Sequence, residues 1–331
     1  MVVLQPEEGN HEKSDSKYSI YRNDDTMLTW RVKRLRALGT NIVLSVFGEQ
    51  DNSALVAAEL LIRQQESRLT VNQPHSEIMT INQLAGYDNT EISCGTYALI
   101  KNAVLASQKH FGFNALIGPL VKLWKIGFNG ANVPSDHDIK SRLLLSNPDN
   151  IIMDDALHTV KLVKTGMELD LGGIAKGFIA DQIRSIWFAY GIRAGIINLG
   201  GNLLFVGESP RRSDGRWIVG IQDPNKGRNI GIGTVIKPAC AAVTSGIYER
   251  FLIKGGKRYH HLLDPQTGYP LQTQLAAVTV FARDSLQGEL EAKRLFFAGK
   301  PIPGWEKDPN NLGAVFIYQN GNTQTVKASI H

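Results

Sequence analysis

In residues Asp170–Asp181, DLGGIAKGFIAD, two adjacent glycines stand directly before an amphipathic segment. The apolar residues that follow recur at helical spacing, so the sequence predicts a helix beginning here. Glycine lets backbone approach a ligand closely, and the free N–H groups at a helix start attract phosphate. Lys176, in the first turn, adds a positive charge. Taken alone, a plain loop-to-helix connection with a surface lysine explains the segment equally well, because its glycine spacing matches neither a Rossmann fingerprint nor a P-loop.

Around this segment, predicted strands occur in runs with helices between the runs, which is typical of an α+β fold rather than a βαβ repeat. Residues 1–30 are polar and are predicted to be a flexible N-terminal segment, and residues 31–331 to be a single domain. The segment 129–150 reads as a loop-rich insertion. Asp51 or Ser53 is expected to cap the first helix, and Asp284 the last. Strands are predicted at 41–47, 195–199, 203–206, 217–221, 233–236, 277–281, 312–318 and 325–330, and helices at 54–68, 95–110, from 174 onward and from 284 to 299.

The composition is that of an ordinary globular protein, with 43% apolar and 20% charged residues among 331. The net charge of +5 suits anionic ligands. The one dense basic stretch, 31–36, is too short to indicate nucleic acid, so no nucleic-acid partner is expected. Cys94 and Cys240 are predicted to be buried free thiols. No stretch approaches the roughly 20 apolar residues of a membrane span.

The polar N-terminus lacks the apolar core of a signal peptide, so a cytoplasmic location is expected for the chain as given. A chain trimmed of its leader would look the same, and an exported or membrane-anchored protein remains the alternative.

Two further segments carry candidate chemistry. Ile197–Asn202, INLGGN, joins two strands through a glycine pair, for which a turn is the favoured interpretation. Thr244, Ser245 and Gly246 offer hydroxyls and backbone amides, and His261 and Asp264 follow within twenty residues with general acid–base capacity. Ser245 lacks the Gly-x-Ser-x-Gly elbow of a hydrolase, and the chain contains no His-Glu-x-x-His zinc motif.

In this order the segments resemble the FAD:protein FMN transferase (ApbE) family, from about residue 34 to the end. The resemblance implies an α+β unit of two lobes with FAD in the groove between them and Mg²⁺ on the FAD pyrophosphate. It also implies a partner protein whose threonine hydroxyl attacks the FMN phosphorus while AMP leaves. The matching pieces are LGT at 38–40, SE at 76–77 with Asn82, GPL at 118–120 with Trp124, residues 170–181, residues 198–201, WIVGIQDP at 217–224, TSG at 244–246 with Tyr248 and Arg250, and HLLDPQTG at 261–268.

The resemblance also assigns roles to individual residues. It implies that His261 acts as general base or positioning group, and that Asp264 is a catalytic residue that holds this loop and assists. The backbone carbonyl of Gly173 would bind the metal, together with the positions of Glu289 and Lys293. The residues implied to contact FAD are Leu38, Asn114, Ala115, Leu116, Lys176, Thr244, Ser245 and Gly246.

The chain departs from the family pattern at this metal position, where the family usually carries Asp and, four residues later, Thr. Glu289 can still ligate Mg²⁺, but the ammonium of Lys293 has only donors and cannot. Lys293 either replaces part of the cation's role or pairs with Glu289 or Glu291. Residues 113–116, Leu38 and Asn72 also differ from the family. These departures keep two alternatives open: an FAD pyrophosphatase giving FMN and AMP, and a flavin-binding paralogue without catalysis.

Overall fold

The computed structural model describes residues 15–21, 27–48, 51–227 and 230–331. Its α-helices are α1 (Ser53–Leu69), α2 (Glu77–Gln83), α3 (Cys94–Ser107), α4 (Gly118–Trp124), α5 (Asp136–Leu143), α6 (Ala175–Ala189) and α7 (Ser285–Ala298). Its strands are β1 (Asp15–Tyr21), β2 (Met27–Ala37), β3 (Thr40–Phe47), β4 (Thr90–Glu91), β5 (Ile151–Asp154), β6 (Thr159–Leu162), β7 (Ala194–Leu199), β8 (Asn202–Gly207), β9 (Trp217–Gln222), β10 (Gly231–Lys237), β11 (Ala241–Gly246), β12 (Phe251–Lys254), β13 (Lys257–His260), β14 (Leu275–Ala282), β15 (Asn311–Tyr318) and β16 (Thr323–Val326).

Among these residues the main sheet has nine strands in the order β1-β2-β3-β7-β8-β11-β14-β15-β16, and every neighbouring pair is antiparallel. Helix α7 packs on β11 and β14, and α6 packs on α7 and α1. The hairpin β9–β10 contributes Trp217 and Val219 to a second apolar cluster, which also contains Phe205 and Phe281 of the sheet. Strand β14, covered on both faces, is buried at all eight positions, which explains its continuous apolar sequence. The α+β prediction is confirmed.

A separate small core lies around α4 and α5, where Leu120, Trp124 and Ile139 pack with Leu263. Short sheets β4-β6-β5 and β12-β13 complete the fold. No helix within the described ranges is both long and apolar enough to cross a bilayer. The arrangement into two lobes and the single domain over 31–331 stay predictions.

Several local predictions were wrong. Within the segment predicted to be flexible, residues 15–21 and 27–30 form strand, whereas residues 1–14 and 22–26 lie outside the described residues. The insertion at 129–150 contains α5, whose start is stabilised by Ser135: its Oγ accepts a hydrogen bond from the Asp138 N–H at 3.1 Å. Cys94 is exposed, while Cys240 is buried as predicted, and both are free thiols.

The helix caps also differ from the prediction. The N-cap of α1 is Asn52, and Asp51 instead accepts a hydrogen bond from the Ser53 N–H at 2.9 Å. Asp284 occupies the N-cap position of α7, but its side chain makes no capping hydrogen bond there. The helix start is stabilised from a neighbouring helix, as described below.

Candidate active site

The glycine-rich loop folds back against α7. The Asp170 carboxylate accepts a hydrogen bond from the Gly172 N–H at 2.8 Å, which fixes the turn, and burial raises the pKa of Asp170. A Cβ atom on Gly173 would lie 3.0 Å from Lys293 Cε and 3.3 Å from the Phe113 ring. Only a residue without a side chain lets the loop approach α7 this closely.

The last residue of the same motif sets the position of α7. The two carboxylate oxygens of Asp181 accept hydrogen bonds from the N–H groups of Ser285 and Leu286, each at 2.9 Å. Arg184 joins the two helices further, because its guanidinium contacts both Asp181 and Asp284. Asp181, on α6, therefore supplies the cap that Asp284 does not, and it fixes α7 relative to the glycine-rich loop.

A buried carboxylate lies where α6 and α7 meet. Glu289 Oε1 accepts a hydrogen bond from Asn202 Nδ2 at 2.9 Å, and Oε2 accepts one from Lys293 Nζ at 2.9 Å. Ser285 Oγ in turn donates to Asn202 Oδ1 at 2.8 Å. Burial by itself would raise the pKa of Glu289, but the positive charges of Lys293 and Lys176 hold it below its usual value. Glu289 is therefore an ionised carboxylate that pairs with Lys293 and also feels the charge of Lys176.

The sequence missed Asn202 and Asp181 as site residues. Asn202 ends the INLGGN motif, for which only a turn was inferred, and Asp181 ends the glycine-rich motif. Both are polar residues inside otherwise apolar segments, which is the signal that marks them. Their bonds to Glu289 and to α7 could not be read from the sequence, because the partners lie about 90 to 100 positions away.

His261 follows the hairpin β12–β13 and is held by the backbone. Its N–H and its Nδ1 each lie 3.2 Å from the carbonyl oxygen of Arg250. A carbonyl only accepts, so the proton of the neutral ring is on Nδ1, and the lone pair of Nε2 is left to accept a proton. Burial lowers the pKa of His261 to about 4, and the nearby charges of Arg250 and Lys293 act in the same direction. The ring is therefore neutral near pH 7.

Asp264 shapes the turn that carries His261. Its Oδ1 accepts a hydrogen bond from the Gln266 N–H at 2.9 Å, and its own N–H donates to the Tyr269 carbonyl at 2.7 Å. Trp124, fully buried, donates from Nε1 to the Gly268 carbonyl at 2.9 Å. These bonds agree with the predicted loop-holding role of Asp264, and they make Trp124 an anchor of the same loop.

Strand β11 carries the Thr-Ser-Gly motif. Thr244 is exposed, and its Oγ1 lies 2.8 Å from the Thr279 Oγ1. Ser245 is buried, and a Cβ on Gly246 would lie 2.7 Å from the Tyr248 ring. Of the three, only Thr244 presents its side chain at the surface, and a cofactor role for all three stays a prediction.

The segment Asn114–Leu116 is hydrogen-bonded to the first residue of the glycine-rich loop. Asn114 Nδ2 donates to the Ser146 carbonyl at 2.7 Å, and the Ala115 carbonyl accepts a hydrogen bond from the Asp170 N–H at 2.8 Å. The side chains of Ala115 and Leu116 belong to the main core cluster. The structure thus places them behind the loop, and their predicted contact with FAD is not tested.

A cavity of about 370 Å³ opens beside this segment. Its wall joins Phe113 and Asn114 to Pro265 and Gln266 of the His261 turn, with Lys164 at the side. The cavity therefore adjoins one segment implied to contact FAD, Asn114–Leu116, and the turn that follows His261.

Leu38 lies in the two-residue turn between β2 and β3, where it adopts a positive φ of 53°. Its N–H donates to Glu66 Oε1 at 2.6 Å, which helps to hold this left-handed conformation. The turn packs beside the second glycine motif, because a Cβ on Gly200 would lie 2.1 Å from Thr40 Oγ1. The strand after that motif begins with Asn202, the partner of Glu289.

The structure brings Gly173, Glu289 and Lys293 together, as the resemblance implies, but they do not fit Mg²⁺. This ion requires near-octahedral oxygen ligands. Lys293 contributes a cation in place of a ligand, and both Glu289 oxygens already accept hydrogen bonds, from Asn202 and Lys293. Across the described residues no group of three or more His, Cys, Asp or Glu could hold a metal ion. Of the two pairings left open, Lys293 pairs with Glu289, while Glu291 accepts a hydrogen bond from Trp305 Nε1.

Fold and site together define an α+β protein in which two lysines act on one buried carboxylate beside a glycine-rich loop, a site suited to a phosphate compound. The model of the ApbE family matches residues 38–316. The chain belongs to the ApbE family.

Individual relatives agree with this assignment. The chain is 41% identical over 285 residues to the FAD:protein FMN transferase of Klebsiella pneumoniae (strain 342), covering 86% of this chain and 87% of that one. It is 36% identical over 267 residues to the protein of the same name from Treponema pallidum (strain Nichols), covering 75% of this chain and 72% of that one. The crystal structure of the ApbE protein of Thermotoga maritima matches with a TM-score of 0.80 and 27% identity, covering 89% of this chain and 96% of that one.

Proposed function

We propose that this chain is an FAD:protein FMN transferase, which moves FMN from FAD to a threonine hydroxyl of a partner protein and releases AMP. The observation that carries the proposal is Lys293, which packs on the glycine-rich loop, pairs with the buried Glu289 and acts through its charge on the neutral His261. The relatives that share most of the chain bear the same name.

The first part of the reaction is neutralisation of charge. The FAD pyrophosphate carries about two negative charges, and attack at its phosphorus requires that they be balanced. Lys176 and Lys293 supply positive charge, which acts on the pKa of Glu289. The backbone amides at the start of α6, where no side chain caps the helix, add donors that point at an anion.

The second part is proton removal from the acceptor. The Nε2 lone pair of His261 takes the proton of the threonine hydroxyl as its oxygen bonds to the FMN phosphorus. The bond from that phosphorus to the bridging oxygen then breaks, and AMP leaves with the bonding electron pair. The proposal includes no step through Mg²⁺, because the donor set does not fit it.

The test is incubation of the purified chain with FAD and a threonine-bearing flavinylation peptide, followed by mass analysis. We expect the peptide to gain the mass of FMN while AMP is released in equal amount. The matched control is the same peptide with valine in place of the threonine, which removes only the hydroxyl.

The other outcomes identify the alternatives. FMN and AMP without a modified peptide would indicate a pyrophosphatase. FAD that is bound but intact would indicate a flavin-binding relative without catalysis, and either result would contradict the proposal.

A further inference from the structure

The Lys293 ammonium uses two of its three N–H groups in hydrogen bonds to other described residues. Lys293 lies one turn of α7 after Glu289. Its Nζ donates to Glu289 Oε2 at 2.9 Å and to the Glu289 carbonyl at 3.3 Å. These are its hydrogen bonds to the described residues, whereas an ammonium has three N–H groups. The side chain is 12% exposed, so the third N–H can reach a ligand without rearrangement of the pair.

The position of this ammonium is fixed from both sides. Cε of Lys293 lies 3.0 Å from the point where a Cβ of Gly173 would be, so the side chain rests on the glycine-rich loop. The bond from Asn202 holds the other oxygen of Glu289. The ammonium is therefore preorganised, which is the condition under which a fixed charge stabilises a transition state.

The charges at the site favour an anion. Lys176 and Lys293 both lower the pKa of the buried Glu289 carboxylate, so the charges of both ammonium groups act at this site. His261, also within reach of the Lys293 charge, is neutral and adds none. Positive charge at this site is therefore supplied by lysine side chains, where a divalent cation finds no complete ligand set among the described residues.

We propose that the Lys293 ammonium takes the place of a divalent cation at the FAD pyrophosphate, so that this chain transfers FMN without Mg²⁺. The inference rests on the proposed function. The third N–H donates to a pyrophosphate oxygen, and the fixed charge stabilises the negative charge that develops on the AMP phosphate as the phosphorus–oxygen bond breaks.

The test compares the wild-type chain with Lys293→Thr and Lys293→Met, each with EDTA and with added Mg²⁺, by AMP release from FAD in the presence of the acceptor peptide. We expect equal wild-type rates in both conditions. Lys293→Thr should lose about 100-fold in EDTA and recover with Mg²⁺, since a hydroxyl can ligate the ion. Lys293→Met keeps the volume but has no oxygen, so it should stay slow in both. Arg294→Thr, one position along, is the matched control and should behave as wild type, because the Arg294 side chain is 40% exposed and forms an ion pair with Glu291 at 3.5 Å, away from Glu289.

A second readout does not depend on activity. Binding of Mn²⁺, measured by electron paramagnetic resonance with FAD alone as the blank, should be absent in the wild type and present in Lys293→Thr. A wild-type chain that needs Mg²⁺ for AMP release, or that binds Mn²⁺ tightly beside FAD, would overturn the inference. If the wild type releases no AMP in any condition, the proposed function fails, and the Mn²⁺ titration still decides the role of Lys293.

Discussion

Gly177 is the point at which α6 and α7 touch, and we predict that Gly177→Ala is destabilising although it lies inside a helix. An added Cβ would lie 2.6 Å from the Ser285 carbonyl oxygen and 2.9 Å from Glu289 Cγ. The carbonyl belongs to rigid backbone at the start of α7, where Asp181 accepts its hydrogen bonds. Relief of the clash therefore requires movement of the helix.

The size of the effect follows from two opposing contributions. Alanine is favoured over glycine inside a helix by about 1 kcal/mol. Ordinary van der Waals contact begins near 3.4 Å, so the Ser285 carbonyl must retreat by about 0.8 Å. Overpacking of this kind costs about 1–3 kcal/mol. Because the clash is with backbone and not with a flexible side chain, its cost should lie in the upper part of that range, about 2–3 kcal/mol. After the helix preference of about 1 kcal/mol is subtracted, we expect a net loss of about 1–2 kcal/mol in the free energy of unfolding.

The displacement should also lower activity. Glu289 and Lys293 move with α7, and a misplacement of about 1 Å at a reacting site can cost on the order of 100-fold in rate. Urea unfolding measures the stability, and AMP release from FAD measures the rate. Gly95→Ala is the matched control, because Gly95 also lies in the first turn of a helix and its added Cβ would come no closer than 4.0 Å to another residue. A Gly177→Ala protein as stable as the Gly95→Ala protein would refute this reasoning.

Two further predictions concern His261. His261→Ala should lower turnover by about 10²–10⁴-fold while FAD still binds, because the substitution removes the proton acceptor and leaves the lysines in place. AMP release measures turnover, and flavin fluorescence measures the binding of FAD. His137→Ala, at an exposed position, is the control. Turnover equal to wild type would contradict the assignment. The pH–rate profile should fall on the acid side only near pH 4, since burial lowers the pKa of His261 to about 4 and the base is protonated below that value. An acid limb centred near 6.5, the ordinary value for histidine, would show that another group or an unburied ring controls the reaction.

The regular elements with strong apolar periodicity were predictable from local sequence. The helix after DLGG at 170–173 begins at Ala175, and the last helix ends before Gly299, in both cases as the pattern indicates. Strands β12 and β13 and helix α5 were missed, because they are short and their exposed residues do not repeat an apolar pattern. Their stability comes from contact with the small core around Trp124, which a local pattern does not contain.

The sequence by itself determined the α+β class and the family, because glycine pairs, the His–Asp turn and helical spacing are local chemical signals. It also showed that Lys293 cannot ligate a metal, since that follows from the residue type alone. Only the tertiary structure decided that Lys293 pairs with Glu289 and not with Glu291, and that Asn202 holds the other carboxylate oxygen. It also assigned Asp181, and not Asp284, as the cap of α7. These contacts depend on how α6, α7 and the sheet pack, and packing joins residues whose separation along the chain carries no information about their distance in space.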